Sequence, residues 1–94
     1  MRKYIDDARK LHEYVGGDEN ISSVTHCVTR MRFVLNEPAK AEIEKIEALP
    51  SVKGSFTQAG QFQVIIGNDV DQFYNDFMTI SKAKEASKDE VKAD

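Results

Sequence analysis

The apolar residues of this 94-residue chain switch back and forth between a spacing of about 3.6 and a spacing of 2, and no other feature limits its possible folds so sharply. Tyr4, Ile5, Ala8, Leu11, His12 and Val15 recur at helical intervals and stop at Gly16-Gly17, a pair suited to the left-handed end of a helix. The period then becomes two. Its alternation predicts strands over residues 22–27 and 29–35 that meet in a tight connection at Cys27-Val28-Thr29. Pro38 suits the first turn of a second helix over residues 39–49, with Ile43, Ile46 and Leu49 on its buried stripe and Pro50 ending it. A second pair of strands, 52–57 and 61–66, turns at Gln58-Ala59-Gly60. The unbroken run Val64-Ile65-Ile66 predicts a central strand covered on more than one side. Gly67-Asn68-Asp69 punctuates the chain and offers a cap for a third helix over 70–81, whose buried face carries Val70, Phe73, Tyr74, Phe77 and Ile80. This order of elements predicts an α+β domain in which a four-stranded, mainly antiparallel sheet packs against three helices.

A chain of this length makes one domain with one modest core, so a small substrate would be met at its surface or presented by a partner. The domain is expected over residues 1–81. Residues 82–94 carry one sizeable aliphatic side chain, Val91, among balanced charges, and are expected to be a flexible linker toward a further segment. A net charge of −3 argues against a nucleic-acid partner. One cysteine excludes an internal disulfide and fits a reducing compartment. No apolar run approaches the ~20 residues that span a bilayer, and the charged N-terminus lacks a secretory core, so a cytoplasmic location is expected.

That cysteine, Cys27, lies in Thr25-His26-Cys27-Val28-Thr29-Arg30-Met31-Arg32-Phe33. A lone cysteine is often inert packing. Here strand alternation sends Met31, Phe33 and Leu35 to the core and puts Arg30 and Arg32 together on the other face, beside the end that displays the thiol. Two readings follow: solvated charges on an outer sheet face, or guanidinium groups that depress a thiol pKa and stabilise a transferring phosphoryl group. Other chemistries fit less well. A phosphatase-type loop needs an arginine six positions after its cysteine, where Phe33 stands. Cys27, His26 and His12 are too few for a zinc centre, and no metal or cofactor is expected. His26 points to the opposite side of the strand from Cys27, as packing or a modest electrostatic neighbour, and His12 reads as partly buried packing.

Four segments in order resemble a known family: Gly16-Gly17-Asp18-Glu19-Asn20-Ile21, the cysteine segment 25–33, Val52-Lys53-Gly54-Ser55-Phe56, and Gly60-Gln61-Phe62-Gln63-Val64-Ile65-Ile66-Gly67. Together, over about residues 3–81, they resemble the IIB domain of the phosphoenolpyruvate-dependent sugar phosphotransferase system, in its glucose-sucrose superfamily. The resemblance implies a four-stranded sheet covered on one side by three helices. It also implies a phosphoryl carrier: phosphate would pass from a phosphohistidine of a IIA partner to Cys27, then to a sugar held by a membrane IIC domain. Arg30 and Arg32 match the arginines of the onward transfer, and Thr29 and Gln63 match positions lining the same site. The amides of Val28, Thr29 and Arg30 could cradle phosphate oxygens. Glucose-type members have an acidic residue and alanine before the cysteine. Thr25-His26 here is most like the trehalose-type branch, with sucrose, β-glucoside and N-acetylmuramate types as neighbours. The isolated domain is expected to be a monomer that works at the inner face of the membrane. A regulatory interaction module and a thiol redox sensor remain the alternatives; the first needs no activated thiol, and the second lacks a resolving cysteine.

Overall fold

A computed structural model describes residues 2–83. Three helices, α1 (Ile5–Tyr14), α2 (Ile43–Glu47) and α3 (Val70–Ile80), cover one face of a sheet built from β1 (Ile21–His26), β2 (Arg30–Leu35), β3 (Gly54–Gln58) and β4 (Gln61–Ile65). The strand order is β1-β2-β4-β3 and every pairing is antiparallel. The two hairpins therefore lie side by side, with β2 and β4 in the middle.

The predicted alternation of β2 holds: Met31, Phe33 and Leu35 are buried toward the helices, while Arg30, Arg32 and Val34 are half-buried on the open face. Phe33 meets Phe77 of α3 edge-on, with ring centroids 5.5 Å apart, and Ala8, Leu11 and Val15 of α1 complete that layer. β4 is central as expected. Its Val64 and the following Ile66 are buried, and Gln63 is buried as well, although it points to the open face. The β3–β4 turn places both Ala59 (φ 54°) and Gly60 (φ 79°) in the left-handed region, as a two-residue hairpin of this hand requires.

Three local expectations change. The predicted 39–49 helix is broken: a 3-10 turn at Pro38–Lys40 gives way to extended backbone at Ala41, and α2 begins only at Ile43. The Glu42 N–H donates to the Tyr14 carbonyl at the end of α1 (2.9 Å), a tertiary bond that holds the chain out of helical register. Ile46 and Leu49 stay in the core, but Ile43 turns outward and is exposed. β1 begins one residue early and carries a bulge, since Ile21 pairs with Leu35 while Ser23 pairs with Val34. Ile21 and Val24 are three apart, so only an extra residue lets both face the core. Asp69 occupies the N-cap position of α3 without a capping bond, and its carboxylate instead accepts from the Tyr4 hydroxyl.

Polar staples join the elements. Buried Asn20 donates to the carbonyls of Val15 (2.7 Å) and Glu37 (3.0 Å), and its side-chain oxygen accepts the Glu37 N–H (2.7 Å). Gly16, at φ 106°, lies against it; a Cβ there would stand 2.8 Å from the Asn20 Cβ. Buried Asp76 of α3 accepts the Tyr4 N–H at the start of α1 (2.8 Å).

Asp18 gathers His12 Nε2 (2.7 Å), the Ser81 hydroxyl (2.6 Å) and the Lys82 N–H (3.0 Å). Its partial burial works against ionisation, but these bonds prevail and lower its pKa to about 2. A carboxyl depressed in the folded state stabilises the fold above its unfolded pKa and loses that contribution as pH falls toward the folded value. After allowance for solvent screening, the contribution is about 1 kcal/mol. Stability should therefore decline between about pH 4 and pH 2, and Asp18→Asn should flatten that limb in urea melts taken across the range. The same bonds hold Ser81 and Lys82, the first residue of the expected linker. Residues 84–94 of that linker lie outside the described residues.

Candidate functional site

The β1–β2 connection is Cys27-Val28-Thr29, closed by the Cys27 N–H donating to the Arg30 carbonyl (2.9 Å). Its last residue is fixed to the central strand, because the Thr29 carbonyl accepts the N–H groups of both Ile66 and Gly67 at 2.9 Å. A thiol on a free hairpin tip would wander. This one is tied to the two middle strands.

Cys27 is a half-buried free thiol rather than a fully displayed one; Val28 beside it is the exposed residue, at 82%. Desolvation alone would raise the thiol pKa. The backbone N–H groups of Thr29 and Arg30 and the positive charges of Arg32 and Arg30 together outweigh it and lower the pKa below its ordinary value. Of the three amides expected to form a cradle, those of Thr29 and Arg30 act on the sulfur.

His26 lies on the helix side of the sheet. Its ring centroid is 4.4 Å from that of Tyr74, and Nδ1 lies 3.0 Å from the Cys27 carbonyl, to which the Nδ1–H tautomer donates. It packs and steadies the turn from behind. His12 rests against Phe77 and bonds Asp18, so it too is packing, with a polar partner that the sequence did not reveal.

On the open face Arg32 stands on a rung that runs Thr25–Arg32–Gln63–Phe56 across all four strands, and Arg30 on the neighbouring rung Arg30–Ile65–Gly54. Arg30 does not stay over its own rung. Its guanidinium carbon lies 4.9 Å from the centre of the Phe56 ring, and Nη1 donates to Gln63 Oε1 at 3.3 Å. Gln63 in turn donates to Gln61 Oε1 at 3.3 Å. The buried Nε of Arg32 has no hydrogen-bond partner within the described residues. Sequence reasoning singled out Cys27, Val28, Thr29, Arg30, Arg32 and Gln63; the structure places the first three in the β1–β2 connection, with Val28 turned to solvent, and brings Arg30, Arg32 and Gln63 together on the open face of the adjoining strands. It missed Phe56 and Gln61. The shared parity of Gln61 and Gln63 was legible, but nothing in a Ser-Phe-Thr strand reveals that its ring meets an arginine two strands away.

A surface cleft of about 570 Å³ opens among Tyr4, Pro50, Ser51, Lys53, Ile66, Asn68 and Asp69, and none of the site residues lines it. The half-buried thiol of Cys27 lies outside that cleft.

The family model for phosphotransferase system, EIIB matches residues 9–42, the span from α1 through the cysteine hairpin. Among curated proteins, the trehalose-specific EIIBC component of the phosphotransferase system from Escherichia coli K12 is 50% identical over 92% of this chain and 18% of its own length. The corresponding Bacillus subtilis 168 protein is 46% identical over 90% of this chain and 18% of its own. The chain thus spans about a fifth of these relatives. A crystal structure of one domain of the phosphotransferase system IIabc component from Clostridium difficile superimposes with a TM-score of 0.83 at 34% identity, covering 93% of this chain and 90% of that one. With a solved domain matched over nearly its whole length, the chain belongs to the EIIB family of the phosphotransferase system.

Proposed function

We propose that Cys27 is a phosphoryl carrier that takes phosphate from a phosphohistidine of a IIA partner and gives it to trehalose bound in a membrane IIC domain. One observation carries the reading: in a chain of the EIIB family, the backbone N–H groups of Thr29 and Arg30 and the charges of Arg32 and Arg30 all favour the thiolate of Cys27. In the first step the thiolate attacks phosphorus in line, the S–P bond forms as the N–P bond breaks, and the imidazole leaves. The Thr29 and Arg30 amides that stabilise the thiolate then lie beside the anionic oxygens of the phosphocysteine. In the second step a sugar hydroxyl attacks. The O–P bond forms as the S–P bond breaks, the hydroxyl proton goes to a base beside the sugar, and the thiolate is restored. Arg32, whose charge already acts on the sulfur, would offset the charge of the transferring group. Neither step calls for a metal.

The choice of trehalose rests on the two trehalose-specific relatives, and the IIC partner on their EIIBC composition. Among the described residues no helix is long and apolar enough to cross a membrane. With a IIC partner like that of the EIIBC relatives, this chain would act at the inner membrane face, with residues 82–94 as the proposed tether. In vesicles bearing the full permease with phosphoenolpyruvate, the general phosphocarriers and IIA inside, trehalose added outside should appear inside as its phosphate. Phosphorylation of sucrose or a β-glucoside in preference to trehalose would overturn the sugar assignment.

A further inference from the structure

By sequence spacing Arg30 and Arg32 form a matched pair on one face of β2, but their surroundings differ. Arg30 is nearer Cys27 along the chain, yet its guanidinium leans onto the Phe56 ring and into the Gln63 side chain, toward the rung of Arg32. Consistent with this lean, Arg32 has the larger charge effect of the two on the sulfur. A ring face attracts a guanidinium, the more strongly as the pair is shielded from water. Phe56 is half-buried, and Gly54 on Arg30's own rung presents no side chain to compete for that guanidinium.

We propose that Phe56 is a positioning residue that, with Gln63 braced by Gln61, draws the Arg30 guanidinium toward the rung of Arg32, so that Arg32 more than Arg30 serves the sulfur-bound phosphoryl group and Arg30 is presented to the incoming acceptor. The functional half of this statement rests on the phosphoryl-carrier reading above; the seating of Arg30 does not. A flat aromatic seat also fixes the plane of the guanidinium, which matters for a group that must meet an acceptor in one orientation.

Phe56→Leu and Phe56→Tyr separate a ring effect from a packing effect, because leucine keeps an apolar side chain and tyrosine keeps the ring. The first readout is the pH midpoint of Cys27 alkylation in this chain. Leucine should free Arg30 to approach the thiol and lower the midpoint by about 0.3 unit, while tyrosine leaves it in place. The second readout is the intact permease, where Phe56→Leu should slow sugar phosphorylation about five- to tenfold, with charging of Cys27 by IIA within twofold of wild type and Phe56→Tyr restoring the rate. An unchanged midpoint in Phe56→Leu, or equal changes in the leucine and tyrosine variants, would overturn the inference. Should wild-type Cys27 take no phosphate at all, the carrier reading fails, and the alkylation midpoints still decide where Arg30 is held.

Discussion

Cys27→Ser should fold normally and accept no measurable phosphoryl group, with sugar phosphorylation by the permease reduced by at least about a thousandfold. The thiol is half-buried in a connection held by backbone bonds, namely Cys27 N–H to the Arg30 carbonyl and the Ile66 and Gly67 N–H groups to the Thr29 carbonyl. None of these needs sulfur, so the loss would be chemical. A serine hydroxyl in the same cradle stays protonated near neutral pH and is both a weaker nucleophile and a poorer leaving group. The depressed thiol pKa, which depends on the Thr29 and Arg30 amides and the two arginines, has no useful counterpart in serine. Circular dichroism and thermal melts of the variant should overlay those of the wild type. A serine variant that carried phosphate at the wild-type rate would place the acceptor elsewhere.

The second large effect falls on Arg32. Changing it to glutamine removes the stronger of the two cationic influences on the sulfur. Removal of a charge-stabilising donor at a transferring group costs about 10²–10³-fold in comparable sites. Transfer from phosphocysteine to sugar should fall by that order. Charging from IIA should fall less than tenfold, since the two amides remain. The alkylation midpoint of Cys27 should rise, because a cation that favoured the thiolate is gone. Rapid-quench measurement of the two half-reactions separates them, and equal losses in both would remove the division of labour.

Much of this was readable from residue order. The Arg30-Met31-Arg32-Phe33 alternation alone sends the arginines to one face, and the placement of Val64 in a central strand follows from its apolar neighbours. What escaped the sequence depends on contacts between distant segments. The break before α2 comes from Glu42 bonding Tyr14, and the depressed Asp18 from Ser81 and Lys82 at the far end of the domain. The bulge near Ser22 follows from two core residues of opposite parity, a signal present in Ile21 and Val24 but meaningful only once both are known to face inward. Phe56 is the clearest case. It meets Arg30 only because β4 lies between β2 and β3, and strand order is a property of the whole sheet that no single strand carries.

The most direct test is to find the phosphorus. Wild-type chain charged from phospho-IIA should give a phosphorus resonance in the thiophosphate monoester range, well removed from that of phosphohistidine, and peptide mass mapping should place the added phosphoryl group on Cys27. A phosphohistidine signal mapping to His12 or His26, or no phosphorus on the chain while sugar phosphate accumulates, would contradict the account.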